Sequence, residues 1–351
     1  MEEQHKEKVK KSVKFTIFAI LAFIGFVGIV YLFYTLIAGF KDTLKTKEQT
    51  VMDTSFSSTS NPYYQGANVF ERLNTGVDIN LRSVAFNGSG AAIVVGDSGK
   101  ILISTDNGSS WKTIISPEPI EWYATAAGGQ NGFLIGGANG ALQSVAPGDS
   151  VFRKLVTPAM SDILNIEVLS NGKIIALGAN GDMLISDDKG ITWKKSVTGV
   201  VNNLYSVDFM DGNSGVAVGD NGTIIRTDDG GNTWILGASV TNTYLKDIKF
   251  IGSGVYILVG GDGQIFRSPD GGREWKRIDV NISAPLVAVR FSTPSNGVIL
   301  SSKGDLFRSE DAGESWKYQP AVAGNLINSV TSGKTRLYMA ASGGAILFMN
   351  F

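Results

Sequence analysis

Apolar and polar positions alternate in short runs from residue 66 to the end of the chain, and each run stops at a cluster of Gly, Asn or Asp. One stretch displays the whole unit. Leu204-x-x-Val207-x-Phe209 alternates, Val216-Ala-Val218 follows, Gly219-Asp-Asn-Gly222 turns the chain, and Thr223-Ile-Ile-Arg226 returns it. A second turn, rich in Asp and Gly, leads to Trp234 and a fourth run. Period-two alternation bounded by turn residues predicts short antiparallel strands joined by hairpins. No segment of this region carries ten residues of helical periodicity, so the expectation is all-β.

The unit recurs with a fixed length. Trp193, Trp234, Trp275 and Trp316 lie 41 residues apart, and Trp111 stands twice 41 before Trp193. Each closes the same phrase, in which Ser or Thr, Asp and Gly keep constant offsets. The copies are Ser104, Asp106, Gly108 before Trp111; Ser186, Asp188, Gly190 before Trp193; and Thr227, Asp229, Gly231 before Trp234. Two more are Ser268, Asp270, Gly272 before Trp275, and Ser309, Asp311, Gly313 before Trp316. The same register holds Phe152, where the phrase has decayed, and Phe70. Glycine pairs keep step at Gly96/Gly99, Gly137/Gly140, Gly178/Gly181, Gly219/Gly222 and Gly260/Gly263, with Gly304 alone in the next unit.

Counting from Phe70 there are seven units, the last cut short before its fourth strand. The orphan run at 68–73 has the sequence of that missing strand. The reading is therefore a seven-bladed β-propeller of 41-residue, four-stranded blades, closed by an N-terminal strand that leaves no open edge between first and last blades.

The phrases resemble BNR repeats, or Asp boxes, as found in sialidases, in the sortilin type of receptor and in propellers like the photosystem II stability/assembly factor. The longer run from Val218 to Trp234, copied from Val259 to Trp275, most resembles the last of these. The resemblance spans 66–351 and carries the fold more than the task, since one fold hosts many functions. Within a box, the carboxylate is expected to accept backbone N–H groups across the turn, the Gly to take φ > 0, and the Trp to pack between sheets. The alternative is a calcium or ligand site, but five equivalent copies around a ring cannot all be one site. No metal or cofactor is expected.

Residues 15–40 contain no charge, and 26 residues of helix span about 39 Å, enough for a ~30 Å hydrocarbon core. The segment is too long for a leader's apolar core and no convincing cleavage site follows it. A single transmembrane α-helix is expected at 15–40, after a basic tail at 1–14 and before a linker at 41–65. Five lysines precede the span (Lys6, Lys8, Lys10, Lys11, Lys14) and three follow it (Lys41, Lys45, Lys47), which favours a cytoplasmic N-terminus. The propeller would then lie on the periplasmic side of a bacterial inner membrane. Small residues Ala22, Gly25 and Gly28 along the span suit helix–helix approach.

Composition removes several chemistries. The chain has no cysteine, hence no disulfide, no thiol catalysis and no lipid-modified cysteine of the kind many bacterial relatives use as an anchor. Its one histidine is His5, so the propeller has none for a Ser–His or metal site. Eight of 31 basic and six of 32 acidic residues precede residue 66, which leaves 23 against 26 and argues against a nucleic-acid partner.

Three arrangements are candidates for interaction. Arg226, Arg267 and Arg308 share one register before the box, with Lys112, Arg153, Lys194, Lys276 and Lys317 after the Trp position. They form either a docking stripe or a solvated edge covering apolar surface, and the second is preferred. Glu167, Asp208, Lys249 and Arg290 are equivalent positions on four successive inner strands, with Asp208 beside Lys249. They form either an ion-pair belt in the channel or, less expected, a patch that receives a peptide terminus. Tyr123 and Tyr205 share a register and keep a glycan-binding reading alive.

A sialidase-like site would need three arginines around a substrate carboxylate, and Arg82, Arg290 and Arg336 fall at unrelated registers. The reading is a non-catalytic, membrane-anchored propeller that serves as an interaction platform for an integral membrane protein or complex being assembled or stabilised. The expected docking face combines the Gly-x-x-Gly turns with the loops at 78–81, 117–122, 202–205, 241–245, 283–286 and 324–327. An accessory subunit of an RND-type transporter is a close second, and a glycan-binding or glycoside hydrolase propeller a third.

Overall fold

The structure, a computed structural model, describes residues 70–350 apart from 117–119, 129–131, 150, 159, 170, 320, 322–323 and 334–335. The expected tail, transmembrane helix and linker lie outside the described residues. Among the described residues no helix is long and apolar enough to cross a membrane.

Seven four-stranded antiparallel sheets follow one another along the chain. Six are built from consecutive strands, as in blade 1 (Leu81–Phe86, Ala92–Gly96, Lys100–Ser104, Lys112–Ile115) and blade 4 (Leu204–Phe209, Gly215–Gly219, Ile224–Thr227, Ile235–Leu236). The seventh takes Ile327–Ser332, Arg336–Ala341 and Ala345–Asn350, then borrows Glu71–Asn74 as its outer strand. Glu71 faces Phe348 and Leu73 faces Ile346 in that ladder. The N-terminal strand closes the ring, as the orphan run predicts. Phe70 is 8% exposed and packs with Leu347 and Met349, in the place the Trp holds in other units.

The core is seven wedges between neighbouring sheets. Trp234 packs with Leu177 and Ile185 of blade 3 and with Phe209, Ala217 and Ile225 of blade 4. Trp193 sits likewise between blades 2 and 3, and Trp316 between blades 5 and 6. Trp111 and Trp275 pack, less deeply, against the clusters joining blades 7 and 1 and blades 4 and 5. Within a blade, Phe86, Phe209 and Phe291 meet their own Trp edge-on, an arrangement the ring quadrupoles favour.

The box turn is held by a small hydrogen-bond lattice. In blade 4 the Thr227 hydroxyl donates to Asp229 Oδ1 at 2.8 Å and accepts from the Gly231 N–H at 2.9 Å. Asp229 then accepts the Thr233 N–H at 3.0 Å and its hydroxyl at 2.6 Å. Blades 1, 3 and 6 repeat all four bonds, and blade 5 repeats the three that do not need a hydroxyl at Glu274. Gly231 sits at φ 89°, where a side chain is disfavoured.

Candidate functional site

Among the described residues, the Gly-x-x-Gly turns and the loops entering the inner strands share one side of the ring, here the upper face. The backbone N–H of Asp97, Ala138, Ala179, Asp220, Gly261 and Ser302, each in its Gly-x-x-Gly turn or the equivalent, reaches back 17 residues. It meets the carbonyl just before its own inner strand, at 2.8–3.0 Å. Each turn also leans on the next blade's incoming loop. An added Cβ at Gly222, which has φ 65°, would collide with the Thr241 carbonyl oxygen. Loops and turns are thus one rigid rim.

Each inner strand opens with a β-bulge: in all seven ladders the register slips between the strand's first and third residues. The bulged residues are Arg82, Tyr123, Leu164, Tyr205, Lys246, Val287 and Asn328. A bulge leaves its extra residue outside the ladder and re-aims the side chain. All seven line the central cavity, whose volume is about 450 Å³.

Two cation–aromatic pairs stand in this ring. The Arg82 guanidinium lies 5.3 Å from the Tyr123 centroid, and Lys246 Nζ lies 4.6 Å from that of Tyr205. The Tyr205 hydroxyl donates to Asp220 at 2.9 Å and its ring meets Tyr244 edge-on at 6.4 Å. Arg82 is held by Asp97 at 2.7 Å and Glu121 at 3.9 Å. Burial raises the pKa of both Tyr123 and Tyr205 and lowers that of Lys246. The ring therefore presents aromatic, cationic, amide and aliphatic tips on a fixed frame.

Three residues further along each inner strand, ~10 Å at ~3.3 Å per residue, lies a second ring: Ala85, Ala126, Glu167, Asp208, Lys249, Arg290 and Thr331. Lys249 Nζ stands 2.7 Å from Asp208, and Arg290 pairs with Asp247. Burial opposes the Arg290 charge, but Asp247 and Glu167 outweigh it and raise the pKa. Burial pushes the Glu167 carboxyl up to about 7, against the pull of Arg290 and Lys249.

Bonds from one inner strand to the next run most of the way around. Ser83 joins Thr125 at 2.8 Å, Asn165 donates to the Tyr205 carbonyl at 2.9 Å, and Ser206 donates to Asp247 at 2.9 Å. Asp208 accepts the Phe250 N–H and Asp247 the Val289 N–H, both at 2.8 Å. Arg290 donates to the Val330 carbonyl and Asn328 to that of Leu81, again at 2.8 Å.

Sequence reasoning brought Glu167, Asp208, Lys249 and Arg290 to one level of the channel, where the structure places them, and gave Tyr123 and Tyr205 one register; the structure sets those two among the bulged residues lining the cavity. Sequence reasoning missed Asp247, Arg82 and Lys246. Asp247 shares its register with Ser206, Asn165 and Ser83, which reads as small polar residues; the available signal was strand alternation, which puts Asp247 on the same side as Lys249.

The arginines before the box are largely committed. Arg267 Nε donates to the Ala312 carbonyl at 3.1 Å and reaches Glu314 at 3.6 Å, both in the next blade's box. Arg226 stands 3.8 Å from Asp228, and Arg308 donates to Gln319. Lys276 and Lys317 are the ladder partners of Arg267 and Arg308. The three arginines a sialidase would gather lie apart: Arg82 at the mouth, Arg290 in the channel, and Arg336 over the Phe348 ring in blade 7. Trp122 is fully buried, so it offers no sugar-stacking face.

A family model described as photosynthesis system II assembly factor YCF48 matches residues 125–228 and 198–350. Among solved structures, YCF48 bound to D1 peptide superposes with TM-score 0.67 at 15% identity, covering 81% of this chain and 96% of that one. YCF48 from Cyanidioschyzon merolae gives 0.66 at 14% identity, covering 80% and 99%. The WD40 β-propeller domain of Doa1 gives 0.65 at 12% identity, covering 81% and 97%, a likeness of fold alone. No curated protein sequence matches the chain.

Proposed function

Because the chain belongs to the family of the photosynthesis system II assembly factor YCF48, an assembly-factor family rather than an enzyme family, we propose that it is a membrane-anchored docking platform. It receives a segment of an integral membrane protein while that protein's complex is assembled or stabilised. The observation that carries this reading is the ring of seven bulged residues at the upper mouth. A rigid frame that presents Arg82, Tyr123, Leu164, Tyr205, Lys246, Val287 and Asn328 toward one cavity suits recognition of a partner segment. The solved YCF48 complex with D1 peptide supports a membrane-protein segment as the kind of partner. The uncharged span 15–40 anchors the propeller on the periplasmic side of a bacterial inner membrane, with the N-terminus in the cytoplasm.

The test is gentle detergent extraction of the full chain, affinity capture, and mass spectrometry of integral membrane proteins recovered with it. Arg82→Ala combined with Tyr205→Ala is expected to lower recovery of the client at least tenfold, as loss of hot-spot contacts does. Undiminished recovery would remove the upper mouth as the docking face. Recovery of a polytopic exporter in place of an assembling complex would instead assign the chain to a transporter.

A further inference from the structure

The belt of bonds around the channel has one gap. Every other pair of neighbouring inner strands is joined by a side-chain bond at this level, but among the described residues none joins blades 2 and 3. Blade 2 has Ala124 and Ala126 there, with Thr125 between them bonded to Ser83 of blade 1, and blade 1 offers Ala85. Glu167 stands at the edge of the gap. Its carboxylate has one weak contact, with the Asn165 amide at 3.5 Å, and among the described residues no Lys or Arg nitrogen comes within ion-pair reach. Asp208 is taken by Lys249 and Asp247 by Arg290. Of the three carboxylates that line the cavity, Glu167 alone has no ion-pair partner among the described residues, and blade 2 beside it presents methyl groups that leave room.

We propose that Glu167 is the seat of a cationic side chain, the ammonium of a lysine or the guanidinium of an arginine, carried into the channel by the docked segment of the partner. The inference rests on the docking-platform reading and specifies the chemistry at its deepest point. The side chain passes the bulged ring, runs over Ala126 and Ala85, and supplies the third cation of the belt. A cavity of about 450 Å³ is within the range of small-ligand and peptide side-chain sites.

Occupancy has a defined pH dependence. The charged groups of the cavity around Glu167 are Asp208 from blade 4, Asp247 and Lys249 from blade 5 and Arg290 from blade 6, with Arg82 and Lys246 in the bulged ring; at the level of Glu167, blades 1, 2 and 7 present Ala85, Ala126 and Thr331. With its carboxyl half-ionised near pH 7, the seat is charged at pH 8 and mostly neutral at pH 6. A cation therefore binds about tenfold more weakly at pH 6 than at pH 8.

The experiment titrates the full-length chain in detergent with a short Gly-Ser peptide carrying one lysine, and with its norleucine counterpart. Calorimetry should show the lysine peptide binding at least tenfold more tightly, with the preference shrinking about tenfold from pH 8 to pH 6. Glu167→Gln, which keeps the shape, should erase the preference. That variant removes an unpaired charge whose pKa is raised on folding, so above pH 7 it should unfold no earlier than wild type. Ala126→Leu keeps the carboxylate but fills the gap, and should also exclude the lysine peptide. No binding, equal binding of norleucine, or a preference that survives Glu167→Gln would overturn the inference. Client capture by the wild-type chain separates the two readings. Capture without lysine preference sinks only the seat at Glu167, whereas absence of capture sinks the platform.

Discussion

At the scale of single residues, the hydroxyl that opens each box does as much as the carboxylate after which the motif is named. The Thr227 hydroxyl ties Asp229 to the buried Gly231 N–H, so removing it strands a donor and frees the carboxylate from its hinge. Thr227→Val should destabilise the chain by about 1–3 kcal/mol, and Thr227→Ser, which keeps both bonds, by less than about 0.5 kcal/mol. Equal melting of the two variants would show that the turn holds without the hydroxyl. The carboxylates add an acid limb. Hydrogen bonds from Ser110, Thr192 and Thr233 hold Asp106, Asp188 and Asp229 at a pKa of about 2, below the ordinary 3.8. Burial opposes the shift at Asp270 and Asp311, but backbone and hydroxyl bonds outweigh it and lower both. A depressed carboxyl pKa gives stability that is complete above about pH 4 and is lost as pH falls through about 2. Denaturant unfolding followed from pH 5 to pH 2 should therefore steepen below pH 4, and Asp229→Asn should flatten that limb. An acid limb unaltered by Asp229→Asn would show that other groups carry it.

At the scale of the blade, the repeats are unequal, and blade 2 departs furthest. Its box has decayed, Val151 and Val156 are exposed, and Gln143 is 5% exposed with no partner for its Oε1. The equivalent positions hold Leu102, Leu184, Ile225, Phe266, Phe307 and Phe348. An unpaired buried amide oxygen costs more than an aliphatic side chain in the same place. Gln143→Leu should stabilise the chain by about 1 kcal/mol and raise its Tm by about 2 °C; a lower Tm would mean that the amide meets a bond the Leu cannot replace. Blade 2 also shows what could be read from the residues alone and what could not. Periodicity alone located Trp111, the glycine pairs and the closing strand, because each is a local pattern recurring at one offset. It also aligned Asp208 with Lys249. The bulges escaped, since an inserted residue on an inner strand has no composition of its own: Arg82, Leu164 and Val287 look like ordinary strand positions. The gap at Ala124 and Ala126 escaped too, because two alanines gain meaning only beside a carboxylate from the next sheet.

At the scale of the molecule, stability rests on closure, because no sheet has a core of its own. Each of the seven apolar clusters is shared between two neighbouring blades. Opening one interface therefore exposes two faces and leaves the remaining wedges as an open arc. The seventh blade is where the chain's two described ends meet, with Phe70 wedged between blades 6 and 7 and Leu73 packed between blades 7 and 1. Removing everything through Asn74 deletes both wedges and strips Ala345–Asn350 of its outer partner. An unpaired edge of that kind is a template for another chain. Such a chain should lose more than the about 3–5 kcal/mol expected from Phe70→Ala alone, and light scattering should show it associating as it warms. Phe70→Ala, which keeps the ladder, should melt early but associate no more than wild type. If the truncated chain associates no more than wild type and has the Tm of the point variant, a three-stranded blade closes the ring adequately, and the borrowed strand serves chiefly to tie the propeller to the residues that precede it.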